Sequence, residues 1–186
     1  IIGGIGRIGP EDIIRFVPTS TGATTSGSFQ MYFDGSDVDL TSRAEAIDAM
    51  SIDASGKLII SVRGRATVGV RPSGIIKARK SDLLSFTFDT TGNSTSGTWA
   101  FHFDGADAGL NKENIDGLWI DPINNHHYLS VTNSFNLGGG ILGGGGTIFV
   151  CDPVSLGYST SCNYSLYWDA AAAGLSPYID GIHIQR

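Results

Sequence analysis

Apolar side chains fall on every second residue at three places along the chain: Phe29, Met31 and Phe33; Trp99, Phe101 and Phe103; Tyr164, Leu166 and Trp168. Gln30, Tyr32 and Asp34 take the alternate positions of the first run, and Ala100, His102 and Asp104 those of the second. A period of two with aromatics along one side predicts a half-buried strand. Each run leads into a variant of one octapeptide: FDGSDVDL at 33–40, FDGADAGL at 103–110 and WDAAAAGL at 168–175. From Phe33 to Phe103 is 70 residues and from Phe103 to Trp168 is 65, so one structural unit is used three times, over 1–70, 71–135 and 136–186.

The other elements follow the same spacing. A first strand is predicted at 12–17, 82–88 and 147–151, each followed by a polar loop of turn-forming Ser, Thr, Gly and Asn. A third strand is predicted at 47–52, 115–120 and 179–184, with Asp48 expected on a core-facing side beside Met50. A fourth is predicted at 57–62 and 127–131, joined to the third by a short hairpin loop. Residues 71–80 and the glycine-rich 138–146 read as connections between units. The third unit stops at Arg186, after its third strand, which makes eleven strands.

Four consecutive antiparallel strands with apolar residues on both faces are what a β-propeller blade requires, because blades stack face to face. With its Phe-Asp-Gly-Ser-Asp signature, the chain resembles the propeller-type tandem repeats of uncharacterised large secreted bacterial proteins. The resemblance implies an all-β fold of blade-like repeats. A stacked β-sandwich or a solenoid of hairpins is the competing architecture. A toroid needs about four blades to close, so the expected partners are the remaining blades of a longer chain or strands from other protein chains. Open edges on the strands would favour self-assembly.

Composition narrows the picture. The chain of 186 residues is 41% hydrophobic and only 16% charged, with 26 glycines, a turn-rich all-β balance. A net charge of −6 argues against nucleic acid as a partner. No apolar run approaches the roughly 20 residues of a membrane span. Cys151 and Cys162 match no zinc spacing and are expected to form a disulfide between facing strands, which places the protein outside the cell or on its surface.

Known catalytic motifs find no footing. Gly4-Ile5-Gly6-Arg7-Ile8-Gly9 matches the dinucleotide fingerprint in letters, but Pro10 and an expected strand follow it where a helix is needed. Ile1-Ile2-Gly3-Gly4 is like the start of a trypsin-type protease, yet no matching serine or histidine segment follows. His126 and His127, adjacent on a predicted strand, should point to opposite faces and read as structural or exposed.

Aspartates are the repeated polar feature. Asp34, Asp37, Asp39, Asp104 and Asp107 crowd the octapeptides, where they either fix their own turns or offer carboxylates to a calcium ion. Asp48, Asp116 and Asp180 open the third strand of every unit. They either cap neighbouring backbone or form a ring of carboxylates around a central channel. The reading that follows is a secreted or cell-surface repeat module that is structural or interacting and not catalytic. Alternatives are a calcium-supported propeller binding carbohydrate or protein, and a hydrolase or lyase with an acidic central pocket.

Overall fold

A computed structural model of the chain describes residues 5–69, 74–175 and 178–185. The Ile1–Gly4 opening, the predicted unit boundary at 70–71 and the final Arg186 lie outside the described residues. Fourteen strands occur among them, in several small antiparallel sheets, none closed into a barrel. The fold is all-β, as the alternation predicted.

Two hairpins, β1 (Ile13–Ser20) with β2 (Ser26–Phe33) and β3 (Ile47–Ile52) with β4 (Leu58–Val62), come from the first unit. Next come β5 (Arg65–Val68) paired with β6 (Ile76–Arg79), then β7 (Leu83–Thr90) paired with β8 (Ser96–Phe103). The chain continues through β9 (Ile115–Ile120) and β10 (His127–Val131) to the small ladder of β11 (Phe135–Asn136) and β12 (Leu142–Gly143). It closes with β13 (Thr147–Ser155) and β14 (Ser161–Asp169).

The sheets are shifted by half a unit from the sequence repeat. One four-stranded sheet runs β3-β4-β7-β8 and the other β9-β10-β13-β14. Each therefore joins the second hairpin of one unit to the long hairpin of the next. β4 pairs with β7 through Leu58 opposite Phe86 and Ile60 opposite Leu84; β10 pairs with β13 through His127 opposite Cys151 and Leu129 opposite Phe149. Central position explains burial: all five residues of β4 and of β10 are buried, and the polar ones among them, Ser61, His127 and Ser130, each find a hydrogen-bond partner.

Stacking supplies two cores. Phe33 of β2 packs with Leu58, Ile60, Leu84 and Phe86 on one face of the first sheet. Ile59, Leu83 and Phe103 on its other face pack with Leu118, Leu129 and Phe149 of the second sheet. Hairpin, sheet and sheet thus follow one another face to face. β5 and β6 close the side of the first core with Ala66, Val68 and Ile76.

Three expectations change. Residues 65–68 and 76–79, part of them read as linker, pair as β5 and β6, and the 138–146 stretch contains β12, reached by a turn with three glycines at positive φ. Residues 178–185 form no strand, although Ile179 N–H donates to Gly145 O as Ile115 N–H does to Lys80 O. The face of β3 that carries Asp48, Met50 and Ile52 is the open one. Met50 is 37% exposed, while Ala49 and Ser51 are buried, because β3 turns that alternate face toward the second sheet.

Candidate functional site

β3 and β9 lie side by side, one from each four-stranded sheet, and residues 178–185 follow next to β9. Ser51 Oγ accepts the Ile120 N–H at 3.0 Å, Ser61 Oγ donates to Ile115 O at 2.7 Å, and Ser130 Oγ reaches Ile179 O at 3.4 Å. This register brings Asp48, Asp116 and Asp180 from three units to the same end of their segments. They share an open depression of about 440 Å³ with Arg63, Lys80 and Thr132.

Each carboxylate is held differently. Asp116 is buried and accepts from Ser130 Oγ at 3.0 Å and Thr132 Oγ1 at 3.2 Å. Burial pushes its carboxyl above the usual range, and the nearby Asp48 charge adds to the shift. Asp48 accepts from the Asn114 amide, which also donates to Thr132 Oγ1 at 3.1 Å. Asp180 is exposed on the rim. Acceptors set beside Arg63 and Lys80 suit a polar, hydroxylated or zwitterionic ligand. Their spacing left open whether these three cap local backbone or gather in one place; Asn114 and Thr132, which orient the group, carried no signal in the sequence.

The octapeptide aspartates do not converge. Asp34 Oδ1 accepts from Ser36 N and Oγ and caps the 3₁₀ turn Gly35–Val38. Asp37 Oδ2 instead takes the Thr95 N–H of the next unit at 2.9 Å, and Asp39 Oδ2 takes the Gly69 N–H at 3.0 Å. Asp104 Oδ1 accepts from the N–H groups of Ala106 and Asp107. Carboxylates turned to separate backbone donors do not make the convergent oxygen cage that calcium needs. Among the described residues no group of three or more His, Cys, Asp or Glu is placed to hold a metal ion.

Asp39 has a further explanation. It sits at φ 79°, where Gly109 at 81° and Gly174 at 71° hold the same place in the other units. The extra carboxylate of the first copy stands at a glycine position and secures a neighbouring loop through Gly69.

Cys151 and Cys162 lie at disulfide distance, with Cα atoms 5.1 Å apart across β13 and β14. Sequence reading missed one polar pair altogether. His102 of β8 and His127 of β10 meet between the sheets with Nε2 atoms 2.8 Å apart, and His127 Nδ1 faces Asn125 O at 2.8 Å. His127 thus donates to the carbonyl through Nδ1 and accepts the His102 proton on Nε2. Burial lowers both to about 4, helped at His102 by its partner ring. Their sequence separation of 25 residues carries no repeat signal. His126, which lies just before β10 and not within it, points away to Asp152 at 3.4 Å.

No helix among the described residues is long and apolar enough to cross a membrane. Comparison with protein-family models, with curated proteins and with solved structures finds no match to this chain.

Proposed function

We propose that the chain is a non-catalytic structural and interaction module of propeller-like blades, working outside the cell or at its surface. The observation that carries this reading is the half-unit shift. No unit forms a four-stranded sheet alone; each such sheet combines a hairpin from one unit with a hairpin from the next, so the repeat is built to join like to like. A hairpin left as two strands, β1 with β2, exposes Phe16 and Phe29, whose counterparts Phe86 and Trp99 are buried. The disulfide-distance cysteines support an oxidising compartment. Sedimentation velocity on the chain over a concentration series tests the reading. Association beyond the 19.6 kDa monomer is expected; a strict monomer that also ignores other repeat proteins would end it.

One second reading has its own observation. The depression lined by Asp48, Asp116 and Asp180 with Arg63 and Lys80 suits a carbohydrate, whose hydroxyl groups can both donate and accept. Binding on a glycan panel that Asp116→Asn removes would favour it over a purely structural role.

A further inference from the structure

Inside the chain, one contact between units occurs twice. The loop tip between β7 and β8 sits on the exit of β2. Gly92 N–H donates to Tyr32 O at 3.1 Å, and Thr95 Oγ1 accepts the Asp34 N–H at 2.9 Å. One unit on, the tip between β13 and β14 sits on the exit of β8: Gly157 N–H donates to His102 O at 2.8 Å, and Thr160 Oγ1 accepts the Asp104 N–H at 2.8 Å. Both threonines are buried by the contact.

Each half of this contact also exists once more, alone. The tip between β1 and β2 has the same internal form. Thr25 Oγ1 donates to Gly22 O at 3.1 Å, as Thr95 does to Gly92 O and Thr160 to Gly157 O at 2.8 Å. Gly22, Gly92 and Gly157 hold φ of 105°, 93° and 92°. Thr25, however, is exposed. At the opposite end, the exit of β14 repeats the receiving turn: Asp169 Oδ1 accepts the Ala171 N–H at 2.9 Å, and Leu175 N–H donates to Ala170 O at 2.9 Å. The strand face leading into it is open, with Leu166 51% exposed where Phe101 is partly covered by Tyr158. Among the described residues, the 22–25 tip seats on no receiving turn and the Asp169 turn receives no tip.

We propose that the chain binds a second copy of itself head to tail, the 22–25 tip of one copy seating on the Asp169 turn of the next. The inference rests on the interaction-module reading and names the partner. In the docked pair Gly22 N–H donates to Tyr167 O, Thr25 Oγ1 accepts the Asp169 N–H, and Ala23 covers Leu166 as Tyr158 covers Phe101. The exposed Phe29 is covered as Trp99 is. Two bonds of the internal contact are missing at such a junction. Trp99 Nε1 donates to Val38 O and Tyr164 Oη to Ala108 O, but Phe29 has no donor. Ala172 stands where Asp37 accepts the Thr95 N–H. The junction is therefore weaker than the internal contact and depends on concentration. Unlike halves at opposite ends make a heterologous interface, which closes into a ring or runs on as a filament.

Sedimentation velocity on three variants tests this. Ala23→Arg blocks the tip and Leu166→Arg blocks the turn; both residues are exposed, and an unchanged melting temperature checks each fold. Each variant alone should associate at least about tenfold more weakly than the unaltered chain. Mixed in equal amounts, the two should form dimers and stop there, because each keeps one good half. The near-isosteric Thr25→Val, which only removes the hydroxyl, should weaken association about fivefold to tenfold. Variants that associate as well as the unaltered chain, or a mixture that gives no dimer, would overturn the head-to-tail contact and leave the interaction-module reading standing. A chain monomeric at every concentration would overturn the contact and count against that reading as well.

Discussion

The ring of Phe86 fills the space that a side chain at Gly97 would need: a Cβ on Gly97 would fall 2.6 Å from Phe86 Cζ. Phe16 and Gly27 repeat the relationship at 2.6 Å on β1 and β2. In the third unit Cys151 and Cys162 occupy the same two positions, and the diagonal contact is made by sulfur. The aromatic-on-glycine pair and the cysteine pair are thus two solutions to one local problem, tying the hairpin together diagonally across two strands.

The first prediction is that the two solutions interchange. Phe16→Cys with Gly27→Cys should form a second bond, seen as a further loss of about 2 Da by mass spectrometry without reductant. This pair is the suitable one because Phe16 is 38% exposed, so its removal opens no buried cavity. Recovery of two alkylatable thiols from the folded double variant would contradict the equivalence. Gly97→Ala alone should destabilise by about 2 kcal/mol or more, since the buried Phe86 ring and the Thr87 carbonyl both stand in the way.

The native pair should stabilise the fold measurably even though its loop is short. It closes a short loop, spanning a separation of 11 residues, and the chain-entropy relation then gives about 3 kcal/mol. Reduction should lower the urea midpoint accordingly, and Cys151→Ser with Cys162→Ser should do the same. A midpoint unchanged by reductant would mean that the ladder of β13 with β14 carries the hairpin unaided.

Alternation at Trp99, Phe101 and Phe103 made the strands legible, and the recurrence of Asp48, Asp116 and Asp180 marked them as a set without saying whether they cap backbone or gather. A repeat gives period but not phase. Nothing in the spacing says whether a sheet starts at Ile13 or at Ile47, because that depends on Leu58–Phe86 and His127–Cys151 pairings between units. Arg65–Val68 and Ile76–Arg79 escaped for another reason. Four-residue strands with exposed charged alternates look like linker until Ala66 and Val68 are seen against the core. The His102–His127 pair joins two sheets at positions the repeat does not relate, so no local pattern could reveal it.

The turn aspartates should act on stability and not through metal. Asp39→Ala loses the bond to Gly69 N–H and leaves a Cβ residue at φ 79°, for a cost of about 1–2 kcal/mol. Asp39→Gly loses the same bond but relaxes the backbone, so it should cost less than the alanine variant. A chelator titration should leave the melting temperature of the unaltered chain where it was. A fall on chelation, restored by calcium, would show that these carboxylates gather in a way their backbone bonds do not suggest.

The histidine pair gives the pH dependence its sign. Both rings are held neutral with pKa values lowered to about 4, against about 6.5 in an unfolded chain. Between these values the unfolded state binds more protons, so stability is greatest above about pH 6.5 and falls as the pH drops toward 4. Two such groups give at most about 2.7 kcal/mol per pH unit, a limit approached only where the unfolded chain is fully protonated and the folded one is not. Asp82 and Asp116, raised by burial, act in the opposite direction: they favour the fold when protonated, and that contribution is lost as the pH rises through their folded values. The two effects oppose each other, so a variant that removes one histidine ring is what separates them. His102→Gln keeps a donor for His127 Nε2 and cannot titrate. Urea unfolding at pH 5 and pH 7 should therefore show a smaller difference for this variant than for the unaltered chain. An equal difference in both would assign the acid sensitivity to groups other than this pair.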